Sequence, residues 1–185
     1  MAEYYFMSQL PSLDGISDND APPITEERFL ELCNRFLGKK AQNEINNLTL
    51  APPMNHKKSS SALVEAWNEG ECNLRLALGK VRAEKMKKPF DTENKYLSVE
   101  LMKVAHTAVD MESPLEAEKF LHNYRMEFLE TLRPINTFSE DSVFYYGLKL
   151  KLILRIRHFD NELGKAEYKN IYNSIMNGVR LEAVQ

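Results

Sequence analysis

The stretch VFYYGLKLKLILRIRHFD, Val143 to Asp160, constrains the fold of this chain more than any other. Apolar side chains dominate it, yet Lys149, Lys151, Arg155, Arg157 and His158 interrupt them. Those cations leave no run of about 18 apolar residues, the length a membrane-spanning helix needs. On a helical wheel Phe144, Leu148 and Leu152 share one stripe, and Tyr146, Leu150, Ile153 and Leu154 cover the neighbouring arc. A helix with so wide an apolar arc must be covered on most sides. Lys151, Arg155 and His158 follow at spacings of four and three on another arc, with stems packed and heads reaching outward. The stretch therefore reads as the central helix of a bundle. Its cationic seam either meets carboxylates or forms a partner-binding edge.

The flanking segments supply the rest of the bundle. Thr25 can cap a helix whose first turn holds Glu26 and Glu27, with Phe29, Leu32, Cys33, Phe36 and Leu37 inward and Gly38 as its stop. A weaker helix follows in AQNEINNLTL. The longest runs from near Ser60 to Lys87, with Leu63, Trp67, Leu74, Leu78 and Val81 along one face, and Pro89 ends it. At ~1.5 Å per residue it is a rod on the order of 40 Å. KYLSVELMKVAHTAV turns Leu97, Leu101, Val104, Ala105 and Ala108 inward. SPLEAEKFLHNYRMEFLETL has Ser113 at the N-cap, Pro114 in the first turn and Glu116 three residues on, the pattern of a capping box. Ser139 caps the central helix, and KAEYKNIYNSIM forms a last one after Gly164, using Tyr168, Ile171, Tyr172 and Ile175. The N-terminal YYFMSQLPSL is too short for a helix before Pro11 and is expected to be extended. Residues 11–24 and 50–59 are loops by composition. The expectation is an all-α, multi-helix bundle of about seven helices, a single helical domain over 1–185, with a short extended N-terminal segment and one long helix near 60–87.

Composition narrows the function. A net charge of −3 gives no global basic field for nucleic acid. Cys33 and Cys72, the two cysteines, read as small buried hydrophobes in a reducing compartment. The N-terminus has no basic region before an apolar core, so a cytoplasmic protein without direct membrane insertion is expected. The scattered glycines make neither a phosphate loop nor a dinucleotide fingerprint. His106 and His122 fall on different helices, without cysteines or carboxylates at ligand spacing, and Glu112, Glu116 and Glu118 fit capping better than a di-iron site. No metal, cofactor or catalytic group is expected. The basic second half of the long helix fits the negative end of its dipole, and Trp67 fits a core anchor.

Five stretches together resemble one family: YYFMSQLPSL, PITEERFLELC, AWNEGECNLRLALGKVRAEK, MESPLEAEKFLHNYRMEFLETL and FYYGLKLKLILRIRHFDNELGKAEY, in this order. The family is a bacterial domain of unknown function encoded in operons of V-type (A/V-type) ATPases. SPLEAE and LKLKLILRIRHFDNELGKAEY carry most of the likeness, which covers nearly the whole chain. The resemblance implies a proton- or sodium-transport setting and invites comparison with the C/d subunit, a helical socket between central stalk and membrane rotor ring. This chain is shorter than a C/d subunit, which has three related helical units. The implied function is a non-catalytic accessory or central-stalk adaptor of the ATPase, at the membrane only through that complex, with stalk or rotor-ring subunits as partners. The alternatives are a transient assembly or regulatory factor, and an enzyme with a pocket between helices. Candidate contact residues are Tyr4, Tyr5 and Phe6 at the N-terminus, Arg82, Lys85 and Lys88 at the end of the long helix, and Lys151, Arg155 and His158 on the central one.

Overall fold

The computed structural model describes every residue except 1, 17–19, 92–94, 158, 160–164, 166–167, 174 and 176–185. Its elements are α1 (Ala2–Gln9), α2 (Glu26–Phe36), α3 (Lys39–Asn46), α4 (Ala62–Lys85), α5 (Val99–Asp110), α6 (Pro114–Thr131) and α7 (Glu140–Arg157). Among the described residues there is no strand, so the protein is an all-α bundle.

Local chemistry sets most boundaries. Thr25 accepts a hydrogen bond from the Arg28 amide, Ser61 from Val64, Ser98 from Leu101 and Ser113 from Glu116. Each satisfies an amide that the first helical turn leaves unpaired. The Ser142 amide donates to Ser139 Oγ at 3.3 Å, as an N-cap before α7 would arrange. Gly38 is not a left-handed stop. It is extended (φ −68°, ψ 156°) and serves as N-cap of α3, while Leu37 ends α2. The N-terminal segment also departs from expectation, being helical from Ala2 to Gln9. Eight residues are too few to hold a helix alone; here Phe6 is buried and stacks on Phe36 of α2 at 5.7 Å, so tertiary packing supplies what propensity does not.

Two apolar clusters organise the interior. The larger gathers α1, α2, α3, the first turns of α4, Leu129 of α6 and most of α7. The smaller joins Leu74, Ala77, Leu78 and Val81 of α4 to Leu101, Ala105 and Ala108 of α5 and Leu121 of α6. Helices α4 and α6 thus run through both. Helix α7 is the central one: it meets α2, α3, α4 and α6, and every residue from Ser142 to Leu150 is buried. Trp67 is fully buried, stacked on Phe128 at 6.1 Å. Cys33 and Cys72 are both buried and unpaired, and burial pushes the Cys33 thiol up to about 12. Among the described residues no helix is long and apolar enough to cross a membrane.

Candidate functional site

The cationic seam of α7 emerges where the wheel places it, and it meets acids. Lys151 Nζ pairs with Glu26, and Arg155 with Glu118 at 3.0 Å. Both cations border one open depression of about 290 Å³ with Leu48, Thr49, Leu50 and Leu154. His158 lies outside the described residues. At the end of α4, Arg82, Lys85 and Lys88 are all exposed. Lys85 reaches α5, pairing with Asp110 at 2.6 Å and donating to the Val109 carbonyl at 2.9 Å.

The N-terminal aromatics do not form a common surface. Phe6 is buried in the core, which withdraws it from partner contact. Tyr5 is exposed and meets Phe36 edge-on at 5.8 Å. Tyr4 lies in α1, but its side chain is outside the described part. A different apolar surface appears at the other end of the chain. Residues 168–173 are helical, and Tyr168, Ile171, Tyr172 and Ile175 are each more than half exposed. Their spacing of three and four is that of a covered helix face. In the fold they lie outside both clusters of described buried residues. Tyr168 and Tyr172 stack on each other at 6.3 Å.

The fold also builds three polar constellations from residues far apart in the sequence. In the first, Lys149 is buried and donates to Asp14 at 2.5 Å and Glu130 at 2.9 Å, while Tyr145 Oη donates to Glu130 at 2.5 Å and Arg133 reaches Asp14 at 3.3 Å. The hydrogen bond from Lys149 holds the Asp14 pKa below its usual range. Burial raises that of Glu130, but the bonds from Lys149 and Tyr145 outweigh it and the net shift is downward. Burial likewise lowers the Lys149 pKa, and its two acids reverse that to a net rise. Burial, helped by Glu130, pushes Tyr145 up to about 12. The group clamps the turn after α1 to α6 and α7.

The second is the ion pair of Glu71 and Arg125, joining α4 to α6. A signal for it exists in the sequence: Glu71 lies in the inward stripe between Trp67 and Leu74, and Arg125 between Leu121 and Leu129. A charge at such a position requires a buried partner.

The third lines a cleft of about 540 Å³ between α3, the 47–61 connection and the first turns of α4. Its walls are pinned. Glu44 of α3 accepts from the Ser59 and Ser60 hydroxyls and from the Ser60 amide at 3.1 Å. Burial alone would raise the Glu44 pKa, but these bonds outweigh it and the net shift is downward. Arg75 donates to the Pro52 carbonyl, and His56 lies 3.6 Å from Glu65. Behind His56, the Cys72 sulfur is 3.9 Å from its Nδ1 and 3.4 Å from Arg75 Nη2. That sulfur belongs to a buried residue, and the group ties the connection to α4.

Residues 93–179, just under half of the chain, match the model of a family described as a protein of unknown function, DUF2764. No curated protein and no solved structure matches the chain. The matched stretch takes in α5, α6, α7 and the exposed Tyr168–Ile175 face, so this part of the fold is similar to that uncharacterised family.

Proposed function

We propose that this protein is a non-catalytic helical adaptor of a V-type ATPase, an accessory or central-stalk component that acts by packing one helical face against a partner subunit. The family resemblance of its five ordered stretches supplies the ATPase setting. The observation that carries an adaptor role is the apolar stripe of Tyr168, Ile171, Tyr172 and Ile175, laid out at helical spacing on the surface. Such a stripe in water is stabilised by a complementary groove, as when an amphipathic helix docks through residues at i, i+3, i+4 and i+7. The occupant suited to it is an apolar groove on a helical stalk subunit. Arg82 and Lys88, exposed at the end of α4, would add charge complementarity and steer the encounter.

The test is recovery of the tagged full-length chain from its native cells under gentle detergent, with quantitative mass spectrometry. Near-stoichiometric catalytic, stalk and ring subunits are expected with the wild-type chain. A Tyr168→Asp/Tyr172→Asp variant should lose them while keeping its helix content. A wild-type preparation free of ATPase subunits overturns the reading.

A further inference from the structure

The geometry points to the cleft between α3, the 47–61 connection and α4 as a binding site for a small organic phosphate. Its volume of about 540 Å³ is that of an ordinary small-molecule pocket. Lys40, Lys57 and Lys58 line it as exposed cations with half-buried His56. The carboxylate among its lining residues, Glu44, is already engaged by three donors from Ser59 and Ser60, so the lysines keep a positive excess for a ligand. An anion is therefore favoured over a cation or a neutral ligand.

Asn68 adds a hydrogen-bonding group to the cleft. It lines the cleft, is only 9 % exposed, and its amide has no hydrogen-bond partner among the described residues. Its amide atoms are open to the cleft and not sealed off in the core, so a group entering the cleft can take the place of water on them. Leu48, Pro52 and Val64 are buried around the same space and offer apolar contact to a ligand body. A bare anion would use the lysines alone; a phosphate carried on an organic body uses all three features.

The connection is itself unusual. Residues 47–61 contain neither helix nor strand, and connections of that length inside a small domain are uncommon, being as a rule either functional or linkers. This one is held in place at several points. Arg75 anchors Pro52, the Ser59 amide donates to Glu65 at 2.9 Å, and Ser61 Oγ donates to Asp141 of α7 at 2.6 Å. A pinned wall favours binding because less ordering remains to be done when the ligand arrives. The cleft lies outside the stretch that matches the family, so it concerns a part of this chain that the match does not reach.

Isothermal titration calorimetry of the full chain tests this with inorganic phosphate, AMP and glucose 6-phosphate, and with adenosine as the phosphate-free control. At least one of the two organic phosphates should bind with a Kd below about 1 mM, more tightly than inorganic phosphate, and adenosine should not bind. Lys57→Ala/Lys58→Ala, on the exposed rim, should weaken it at least about tenfold without lowering the melting temperature, a loss near 1.4 kcal/mol. Asn68→Asp, close in shape but anionic, should weaken it as much. The proposal fails if neither organic phosphate gives heat at about 10 mM, a concentration that would reveal even millimolar affinity. It fails equally if binding survives both variants, or if inorganic phosphate or adenosine binds as tightly as the organic phosphates.

Discussion

Glu71 and Arg125 meet through two hydrogen bonds of 2.8 Å, at the seam where the two apolar clusters of the bundle adjoin. Glu71 is 4 % exposed and Arg125 6 %. On α4 the clusters lie to either side of Glu71, and on α6 to either side of Arg125. The third guanidinium nitrogen, Arg125 Nη1, is buried without a hydrogen-bond partner. This pair is a specific joint more than a source of net stability, since desolvation offsets most of its attraction. Glu71→Leu or Arg125→Met alone should lower unfolding free energy by about 3–5 kcal/mol by stranding the other charge. Glu71→Leu/Arg125→Met should be more stable than either single variant. Urea unfolding of the four proteins as a cycle checks this, and additive losses would refute it.

The clamp of Asp14, Glu130 and Lys149 makes stability depend on acid. Both carboxylates have folded pKa values below their unfolded ones. Their contribution is therefore in place above about pH 4 and is lost as pH falls through the lowered folded values. Asp14 is more than half exposed, so salt reduces its share. Lys149, with its pKa raised, contributes below its unfolded value and loses that only as pH rises through the raised one. The urea midpoint should drop between about pH 5 and pH 2, and Lys149→Met should flatten that drop. Parallel profiles for the two proteins would remove the clamp from the account.

What could be read in advance was what depends on neighbours a few residues apart. Thr25 and Ser113 cap as expected because an N-cap needs only its own first turn. Helix α7 was legible as central because its apolar arc is too wide for a surface helix. Failures began where a distant residue decides. Helix α1 exists because Phe6 finds Phe36, thirty residues on in the sequence. For Tyr168 and Ile175, periodicity gives one apolar face without saying what lies against it, and both are more than half exposed. The cleft was hidden for the same reason: its lysines, amides and serines are ordinary surface types until α3 and α4 bring them together.

Gly70 on α4 faces the ring of Phe128, whose Cε1 and Cζ would lie 2.4 Å from a Cβ placed there. Alanine would favour the helix by about 1 kcal/mol, but the overlap works against it. Phe128 cannot withdraw freely because it stacks on Trp67. Overpacking of this kind costs about 1–3 kcal/mol, so Gly70→Ala should lower the melting temperature. Adding Phe128→Leu should make the alanine less harmful than it is in the wild-type background. A Gly70→Ala protein more stable than wild type would show that the ring moves aside at little cost.

The end of α4 is set by backbone geometry at Lys87. Its φ is +53°, the left-handed region, and it is the non-glycine residue with positive φ among those described. The Lys88 amide donates to the Ala83 carbonyl at 2.9 Å and the Lys87 amide to Glu84 at 3.1 Å. This is the pair of bonds of a Schellman motif, with lysine at the position glycine usually takes. Pro89 follows the stop and does not create it. An L-residue there carries a cost of roughly 1–2 kcal/mol that glycine avoids, while glycine gives back part of that through the entropy of the unfolded chain. Lys87→Gly should therefore raise stability by about 0.5–1 kcal/mol, and Lys87→Val should lower it, since branching at Cβ worsens the same strain. Lys87 is exposed, so lost packing does not confuse the comparison. Thermal melts of both variants decide it: a destabilised glycine variant would mean that the lysine side chain itself, through the dipole at the helix end, outweighs the backbone strain.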